Sequence, residues 1–247
     1  MRTLVGLTAS GWTEKARWAL DHHRVAYRFQ DYVPLLQERW LRKQVPPGVK
    51  GTVPLLVDPP GAATQGSFAI AKRAEELGQG RPLFPAEHVA AITRWNDTSE
   101  QVLDTARVYA MPRMLANSRA QAESLPKFLP LWLRQLSAPS ARMGMRYIMK
   151  KHQVPVSTEE AIEAAVTPAY ERLRSALGDG RAYLEGDAFT YADITAAAML
   201  VLLGPVADRH LPMGPGTREV WTHAGLASRF PDLLAWRDAL YDKHRRT

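Results

Sequence analysis

Cysteine is absent from the 247 residues of this sequence. A disulfide framework, a thiolate metal site and a catalytic thiol of the protein itself are therefore excluded. Any sulfur chemistry in which the protein takes part must use a thiol that a ligand supplies. Apolar residues make up 46% of the chain, which is enough to fill the core of one large domain or of two ordinary ones.

A long apolar run is also missing. The longest one, from Ile194 to Val206, contains Thr195, Gly204 and Pro205, and it is shorter than the roughly 20 residues that a membrane-spanning helix requires. The N-terminus shows neither the charged start nor the apolar stretch of a secretory signal. We therefore expect a cytoplasmic protein without a membrane span.

The whole chain has a net charge of +7, and acidic residues are scarce in one part of it. Between residues 112 and 152 the single acid Glu123 stands against eight basic residues, which are Arg113, Arg119, Lys127, Arg134, Arg142, Arg146, Lys150 and Lys151. Such a segment is compatible with a surface for acidic lipid or nucleic acid. Because the basic residues are scattered and no nucleic-acid motif accompanies them, we interpret them as a solvated helical face and expect no nucleic-acid partner.

The first 80 residues alternate between strand and helix patterns. Short apolar or alternating runs predict four strands, at residues 3–7, 25–29, 53–57 and 62–65. One helix follows Ser10, and another begins at Ser67 and ends at Gly78. The helix after Ser10 makes the first two strands parallel, and a tight turn makes the last two an antiparallel hairpin.

From residue 86 onward the sequence shows no convincing strand. Ser157 and Glu160 have the spacing of a capping box, as do Thr190 and Asp193 before an almost wholly apolar helix. Helical patterns occupy residues 90–110, the stretch around 125–136, and residues 159–177. We therefore expect an all-helical bundle in this half.

Four segments of the chain, taken together and in order, resemble the cytosolic glutathione S-transferases. They are the Ser10 turn with its helix, Thr52-Val-Pro-Leu55, Gly66-Ser-Phe-Ala-Ile70 and Gly186-Asp-Ala-Phe-Thr-Tyr-Ala-Asp-Ile194. The resemblance implies an α/β thioredoxin-like N-terminal domain, with a mixed four-stranded sheet and helices, and an all-α helical-bundle C-terminal domain. We expect these domains at residues 1–80 and 86–247. The segment from about 110 to 156 matches no named part of the family.

The resemblance also implies a reaction, the addition of glutathione through its thiolate to small hydrophobic electrophiles. A free thiol has a pKa of about 8.5 and is mostly protonated at neutral pH, so the enzyme must favour the anion. Alignment on Lys15-Ala-Arg17 places Ser10 where the family has its thiolate donor, with Thr8 as a weaker alternative donor. Trp12 and Thr13 are secondary site residues. The alternative is that Ser10 or Thr13 only caps the helix.

Glutathione binding is implied for five residues. Val53 and Pro54 resemble the family's cis-proline element, which offers backbone hydrogen bonds to the cysteinyl part of glutathione. Ser67 would bind a carboxylate at a helix N-terminus, or would serve only as a cap. Gly66 departs from the family pattern, which has an acidic residue or glutamine there to bind the ammonium group; Gln65 is the candidate substitute.

The remaining expectations concern the second substrate, metals and partners. The electrophile should lie between the domains. The candidates to line its site, each equally compatible with a core or a surface position, are Trp12, Tyr109, Met111, Arg113 and Met114. His22 and His23 have no partner at ligand spacing, so we interpret them as solvated histidines and expect no metal. A homodimer is implied by the resemblance. The alternative function is a non-catalytic binding or scaffold protein that keeps the transferase fold.

Overall fold

A computed structural model describes residues 1–125, 130, 134 and 138–245. The N-terminal domain contains a four-stranded sheet and three helices. Its elements are β1 (Arg2–Gly6), α1 (Gly11–His22), β2 (Tyr27–Asp31), α2 (Glu38–Lys43), β3 (Leu55–Val57), β4 (Ala63–Gln65) and α3 (Ser67–Leu77). The strand order is β2-β1-β3-β4, with β1 parallel to β2 and the other two pairs antiparallel. The predicted mixed sheet is confirmed.

The two faces of the sheet carry different helices. Because successive side chains of a strand point to opposite faces, Leu4 and Leu56 join the larger core, which includes residues of α1 and α3. Val5 and Leu55 pack on the other face with Leu41 of α2. Strand β3 is antiparallel to β1, and β4 is antiparallel to β3 and so runs in the same direction as β1. The ends of β1 and β4 and the start of β3 therefore lie at one edge of the sheet. Because α1 follows β1 and α3 follows β4, both helices begin at this edge.

In its described part the C-terminal domain consists of helices and the loops that connect them, apart from one isolated bridge between Leu203 and Thr222. Its helices are α4 (Val89–Ala116), α5 (Ser118–Glu123), α6 (Ala138–Lys151), α7 (Glu159–Ala176), α8 (Tyr191–Met199), α9 (Pro215–Trp221), α10 (Ala224–Arg229) and α11 (Pro231–His244), with short 3-10 turns at Ala86–His88 and Leu200–Leu202. The helix predicted around residues 125–136 falls largely outside the described residues. No helix in the described ranges is long and apolar enough to cross a bilayer.

The two predicted capping boxes have different outcomes. Thr190 and Asp193 form the box at the start of α8, where the Asp193 carboxylate accepts hydrogen bonds from the N–H groups of Thr190 and Leu184, each at 2.8 Å. The box at Ser157 is wrong. Thr158 is the cap of α7, because its backbone is extended and its side chain accepts from the N–H of Ala161.

The connection between the domains is held by specific contacts. The N–H groups of Leu83 and Phe84 donate to the Glu75 carboxylate of α3, at 2.6 and 3.1 Å. Leu83 is fully buried, and its carbonyl accepts from the N–H of Tyr191 at the start of α8. The helical domain is therefore fixed against α1 and α3, and the cavity between the domains has defined walls.

Candidate functional site

A cavity of about 870 Å³ opens between the two domains, at the sheet edge where α1, β3 and α3 begin. The N-terminal domain contributes Trp12, Lys50, Thr52, Val53, Pro54, Gln65, Gly66, Ser67, Phe68 and Ala69. Helix α4 contributes Asn96, Glu100, Asp104, Thr105, Arg107 and Val108. The α6–α7 connection and α7 contribute His152, Val154, Pro155, Ser157, Ala161, Ile162 and Ala165.

All five residues predicted to bind glutathione lie on one wall of this cavity. The Val53–Pro54 peptide bond is cis, as the resemblance implies. Gln65 uses its side-chain amide to hold the chain before that bond: its Oε1 accepts from the N–H of Thr52 at 2.8 Å, and its Nε2 donates to the carbonyl of Lys50 at 3.2 Å. Gln65 thereby positions the cis-proline loop.

The start of α3 presents unpaired backbone donors to the cavity. The first helical hydrogen bond runs from the N–H of Ile70 to the carbonyl of Gly66, so the N–H groups of Ser67, Phe68 and Ala69 precede the intrahelical ladder. All three residues line the cavity. Gly66 has φ of +89°, a left-handed conformation that favours glycine. The arrangement is suited to binding an anion.

Ser10 is the N-cap of α1. Its Oγ accepts from the N–H of Thr13 at 3.5 Å, which confirms the interpretation as a cap, and it is not among the residues that line the cavity. Thr13 is fully buried, and its hydroxyl oxygen accepts from the N–H of Leu7 at 3.1 Å. Trp12 does line the cavity and donates from Nε1 to Glu100 at 2.5 Å. The thiolate role of Ser10 stays a prediction.

Glu100 belongs to a network that the sequence does not reveal. Its other oxygen accepts from Lys15 Nζ at 2.5 Å. Lys15 is fully buried, and it also donates to Asn96 of α4 and Thr195 of α8. Burial lowers the pKa of Lys15, although the nearby Glu100 carboxylate acts in the opposite direction. The network joins the start of α1 to the wall formed by α4.

The α6–α7 connection is fastened to the N-terminal domain by a second ion pair. Lys151 at the end of α6 donates to both carboxylate oxygens of Glu38 in α2, at 3.1 and 2.9 Å. Tyr32 donates to the same carboxylate at 2.7 Å. Burial raises the pKa of Glu38, but the hydrogen bonds from Lys151, Tyr32 and Tyr147 outweigh it and hold the pKa at about 2. Lys151 is thus not part of a solvated basic face, which corrects that interpretation at this residue.

Of the five candidates for the electrophile site, Trp12 lines the cavity and the other four do not. Tyr109 is buried and donates to the carbonyl of Thr222, and Met114 is also buried. The helical face of α4 that meets the cavity lies earlier and includes Glu100 and Arg107.

Of the two histidines near the end of α1, His23 differs from the prediction, whereas His22 is partly exposed. His23 is buried, 2% exposed, and its Nε2 lies 3.6 Å from the Glu75 carboxylate. His22 contacts the carbonyl of Arg81 through Nε2, at 3.0 Å. In the described part of the chain no three His, Asp or Glu side chains are grouped so as to hold a metal ion.

Together, the fold and this cavity define a two-domain protein with a thioredoxin-like first domain. The family model for the glutathione S-transferase N-terminal domain matches residues 4–82, and that for the glutathione S-transferase C-terminal domain matches residues 157–239. The chain belongs to the glutathione S-transferase family. A comparison with curated proteins gives no significant match.

Solved structures share the fold along nearly the whole chain. A glutathione S-transferase of Methylobacterium radiotolerans, in complex with glutathione sulfonate, is 21% identical with a TM-score of 0.59, covering 97% of this chain and 90% of its own. One of Methylobacillus flagellatus, with glutathione bound, is 15% identical with a TM-score of 0.55 and coverages of 98% and 95%. A glutathione transferase of Phanerochaete chrysosporium is 20% identical with a TM-score of 0.58 and coverages of 100% and 98%.

Proposed function

We propose that this protein binds glutathione in the cavity between its domains and adds the glutathione thiolate to small electrophiles. The observation that carries the proposal is the meeting of the cis Val53–Pro54 bond and the start of α3 on one wall of that cavity. Two solved structures of the same fold contain glutathione or its sulfonate.

Each part of glutathione has a chemical counterpart on this wall. A carboxylate is suited to the free N–H groups at the start of α3 and to the Ser67 hydroxyl. The peptide groups of the cysteinyl residue are suited to the backbone beside Val53 and Pro54. The ammonium group needs an acceptor, and Gly66 has no side chain. The substitute that we assign is the Gln65 amide oxygen, which accepts from the N–H of Thr52 and has a second lone pair for the ammonium group.

The thiol must be converted to a thiolate near the start of α1. The positive end of that helix and the Ser10 hydroxyl would both stabilise the anion, and each unit by which the thiol pKa falls corresponds to about 1.4 kcal/mol. In the reaction the sulfur forms a bond to the electrophilic carbon. A halide leaves when the substrate is an aryl halide, and the thiol proton goes to solvent.

The second candidate function is non-catalytic binding on the transferase fold. Two observations favour it: Ser10 is used as a helix cap without lining the cavity, and Gly66 lacks the acceptor side chain. In this case glutathione or another ligand would bind without turnover.

Conjugation of 1-chloro-2,4-dinitrobenzene, followed by absorbance of the product, separates the two functions. A glutathione-dependent turnover that exceeds the uncatalysed rate supports the enzymatic function. Retention on glutathione-agarose without turnover, towards this and a panel of other electrophiles, would support the binding protein instead.

The remaining parts of the proposal follow the family resemblance. We propose domains at residues 1–80 and 86–247 and a homodimer that acts in the cytoplasm. Size-exclusion chromatography with light scattering tests the oligomeric state, because a particle near the 27.6 kDa mass of one chain would contradict the dimer.

A further inference from the structure

Arg107 lies on the cavity wall with little compensation for its charge. Its side chain is only 18% exposed, and its guanidinium lies 4.3 Å from the centre of the Trp12 ring. Among the described residues, its one ion-pair partner is Asp104, at 3.1 Å, and that carboxylate is 65% exposed. An ion pair with an exposed carboxylate one helical turn away stabilises a charge only slightly.

The other nearby acid is already neutralised. The Glu100 carboxylate accepts hydrogen bonds from the buried Lys15 and from Trp12, so its negative charge is paired with the Lys15 ammonium group. Burial lowers the pKa of Arg107, and the opposing effects of Asp104 and Glu100 do not offset it. An anion bound in the cavity would supply the missing compensation, because a buried charge is costly unless it is paired.

His152 adds a polar group to the same cavity. Burial, together with the positive charges of Arg107, Lys50 and Lys151, lowers its pKa to about 4. The imidazole is therefore neutral at pH 7 and has an N–H to donate. The Glu38 carboxylate acts on it in the opposite direction, but that carboxylate is paired with Lys151.

Apolar surface adjoins these groups. Val108, Ile162 and Ala165 line the cavity from α4 and α7, which suits the body of a small aromatic or aliphatic molecule. We propose that Arg107, together with His152, binds a carboxylate of the electrophilic substrate, so that the cavity selects small electrophiles carrying one. The reaction of that substrate rests on the proposed function, whereas its binding does not.

A matched pair of unreactive probes tests the binding directly. Calorimetry compares 4-nitrobenzoate with its methyl ester, which has a similar shape without the charge. We expect the wild type to prefer the acid by about tenfold, equivalent to about 1.4 kcal/mol, and Arg107→Gln to lose that preference. Arg107→Lys keeps the positive charge but lacks the planar guanidinium, so this variant should retain part of the preference for the acid. Equal affinity for both probes in the wild type, or an unchanged preference in Arg107→Gln, would overturn the proposal.

Arg113→Gln is the control. Arg113 lies on the same helix, is stacked 3.6 Å from the centre of the Tyr109 ring and pairs with Glu159, but it does not line the cavity. Its loss should leave the preference intact, whereas an equal effect of both substitutions would count against a specific site.

Turnover then identifies which of the two substrates, glutathione or the electrophile, has the carboxylate that Arg107 binds. With 4-chloro-3,5-dinitrobenzoate and its methyl ester as electrophiles, Arg107→Gln should raise KM for the acid alone. A raised KM for glutathione with both electrophiles would assign Arg107 to glutathione and overturn the inference. If the wild type turns over neither electrophile, the proposed function is wrong. The carboxylate site is then supported or overturned by the calorimetric preference for 4-nitrobenzoate over its methyl ester alone.

Discussion

Lys15 Nζ lies 2.5 Å from Glu100 Oε1, in an ion pair whose lysine is completely buried and whose glutamate lines the cavity. The same ammonium group donates to Asn96 and Thr195, which lie on α4 and α8. One side chain of α1 therefore holds two helices of the other domain. The position of the cavity wall relative to the start of α1 depends on it.

Replacement of this lysine should destabilise the whole chain. Lys15→Met leaves Glu100, Asn96 and Thr195 without their shared donor, and breaking a buried pair on one side costs about 3 to 5 kcal/mol. Because Glu100 is partly exposed, we expect a loss near 3 kcal/mol in the free energy of unfolding, measured with urea. The exposed Lys43 provides the control, since Lys43→Met should change the free energy by less than about 0.5 kcal/mol. A loss below about 1 kcal/mol in Lys15→Met would contradict this role.

Ser10→Ala should have two separable effects. Loss of the cap should lower the free energy of unfolding by about 1 kcal/mol. If the hydroxyl also donates to the thiolate, kcat/KM should fall by about 10- to 100-fold, since a hydrogen bond to a charged group contributes about 1.5 to 3 kcal/mol. Thr158→Ala removes the cap of α7 and should show the stability loss without the kinetic one. Unchanged turnover in Ser10→Ala would remove Ser10 from the mechanism.

Gly66→Gln should strengthen glutathione binding at the expense of stability. A Cβ at Gly66 would meet no atom within 4 Å, but the φ of +89° strains any other residue, at about 1 to 2 kcal/mol. A side-chain acceptor there should tighten glutathione binding by several-fold in calorimetry. Gly180→Gln is the control, because Gly180 has φ of +77° and equally open space but does not line the cavity. Equal affinities for the wild type and Gly66→Gln would show that the missing side chain is not limiting.

Glu38 makes the stability of the protein depend on pH. Its pKa in the folded protein is about 2 against an ordinary 4.5, so the ionised form is favoured by folding. Its contribution is complete above pH 4.5 and is lost as the pH falls towards 2. The difference in unfolding free energy between wild type and Glu38→Gln should therefore shrink by about 1 to 2 kcal/mol from pH 7 to pH 3.5.

The control for this titration is Glu76→Gln, which removes an exposed pair with Arg73 within α3. That difference should be small at both pH values, because exposed pairs contribute little. A wild-type to Glu38→Gln difference that does not change with pH would mean that Lys151 and Tyr32 do not stabilise the carboxylate.

Local patterns in the sequence predicted much of the N-terminal domain. The alternation of strand and helix fixes which chain ends meet at one sheet edge, and so brings Val53, Pro54 and Ser67 onto one wall. The box of Thr190 and Asp193 was readable because its hydrogen bonds lie within three residues. The cap at Ser157 was misplaced by one residue: Ser157 has Glu160 at the box spacing, whereas the adjacent Thr158, which has Ala161 at that spacing, is the residue that caps the helix.

The cavity wall formed by α4 and the α6–α7 connection could not be predicted from the sequence. Lys15 and Glu100 are 85 residues apart, and Glu38 and Lys151 are 113 apart, so no periodicity links either pair. His23 looked like a solvated residue because its partner Glu75 is distant in the sequence. The spacing of α4 was visible, but which of its faces meets the cavity depends on how the bundle packs.

Calorimetric titration of glutathione into the wild type and Ser67→Ala tests the central claim most directly. Ser118→Ala is the control, since Ser118 is likewise the first residue of a helix but does not line the cavity. We expect saturable binding to the wild type and to Ser118→Ala, weakened by about tenfold in Ser67→Ala, which corresponds to about 1.4 kcal/mol. No binding heat from the wild type at millimolar glutathione, or equal affinity in Ser67→Ala, would contradict the account.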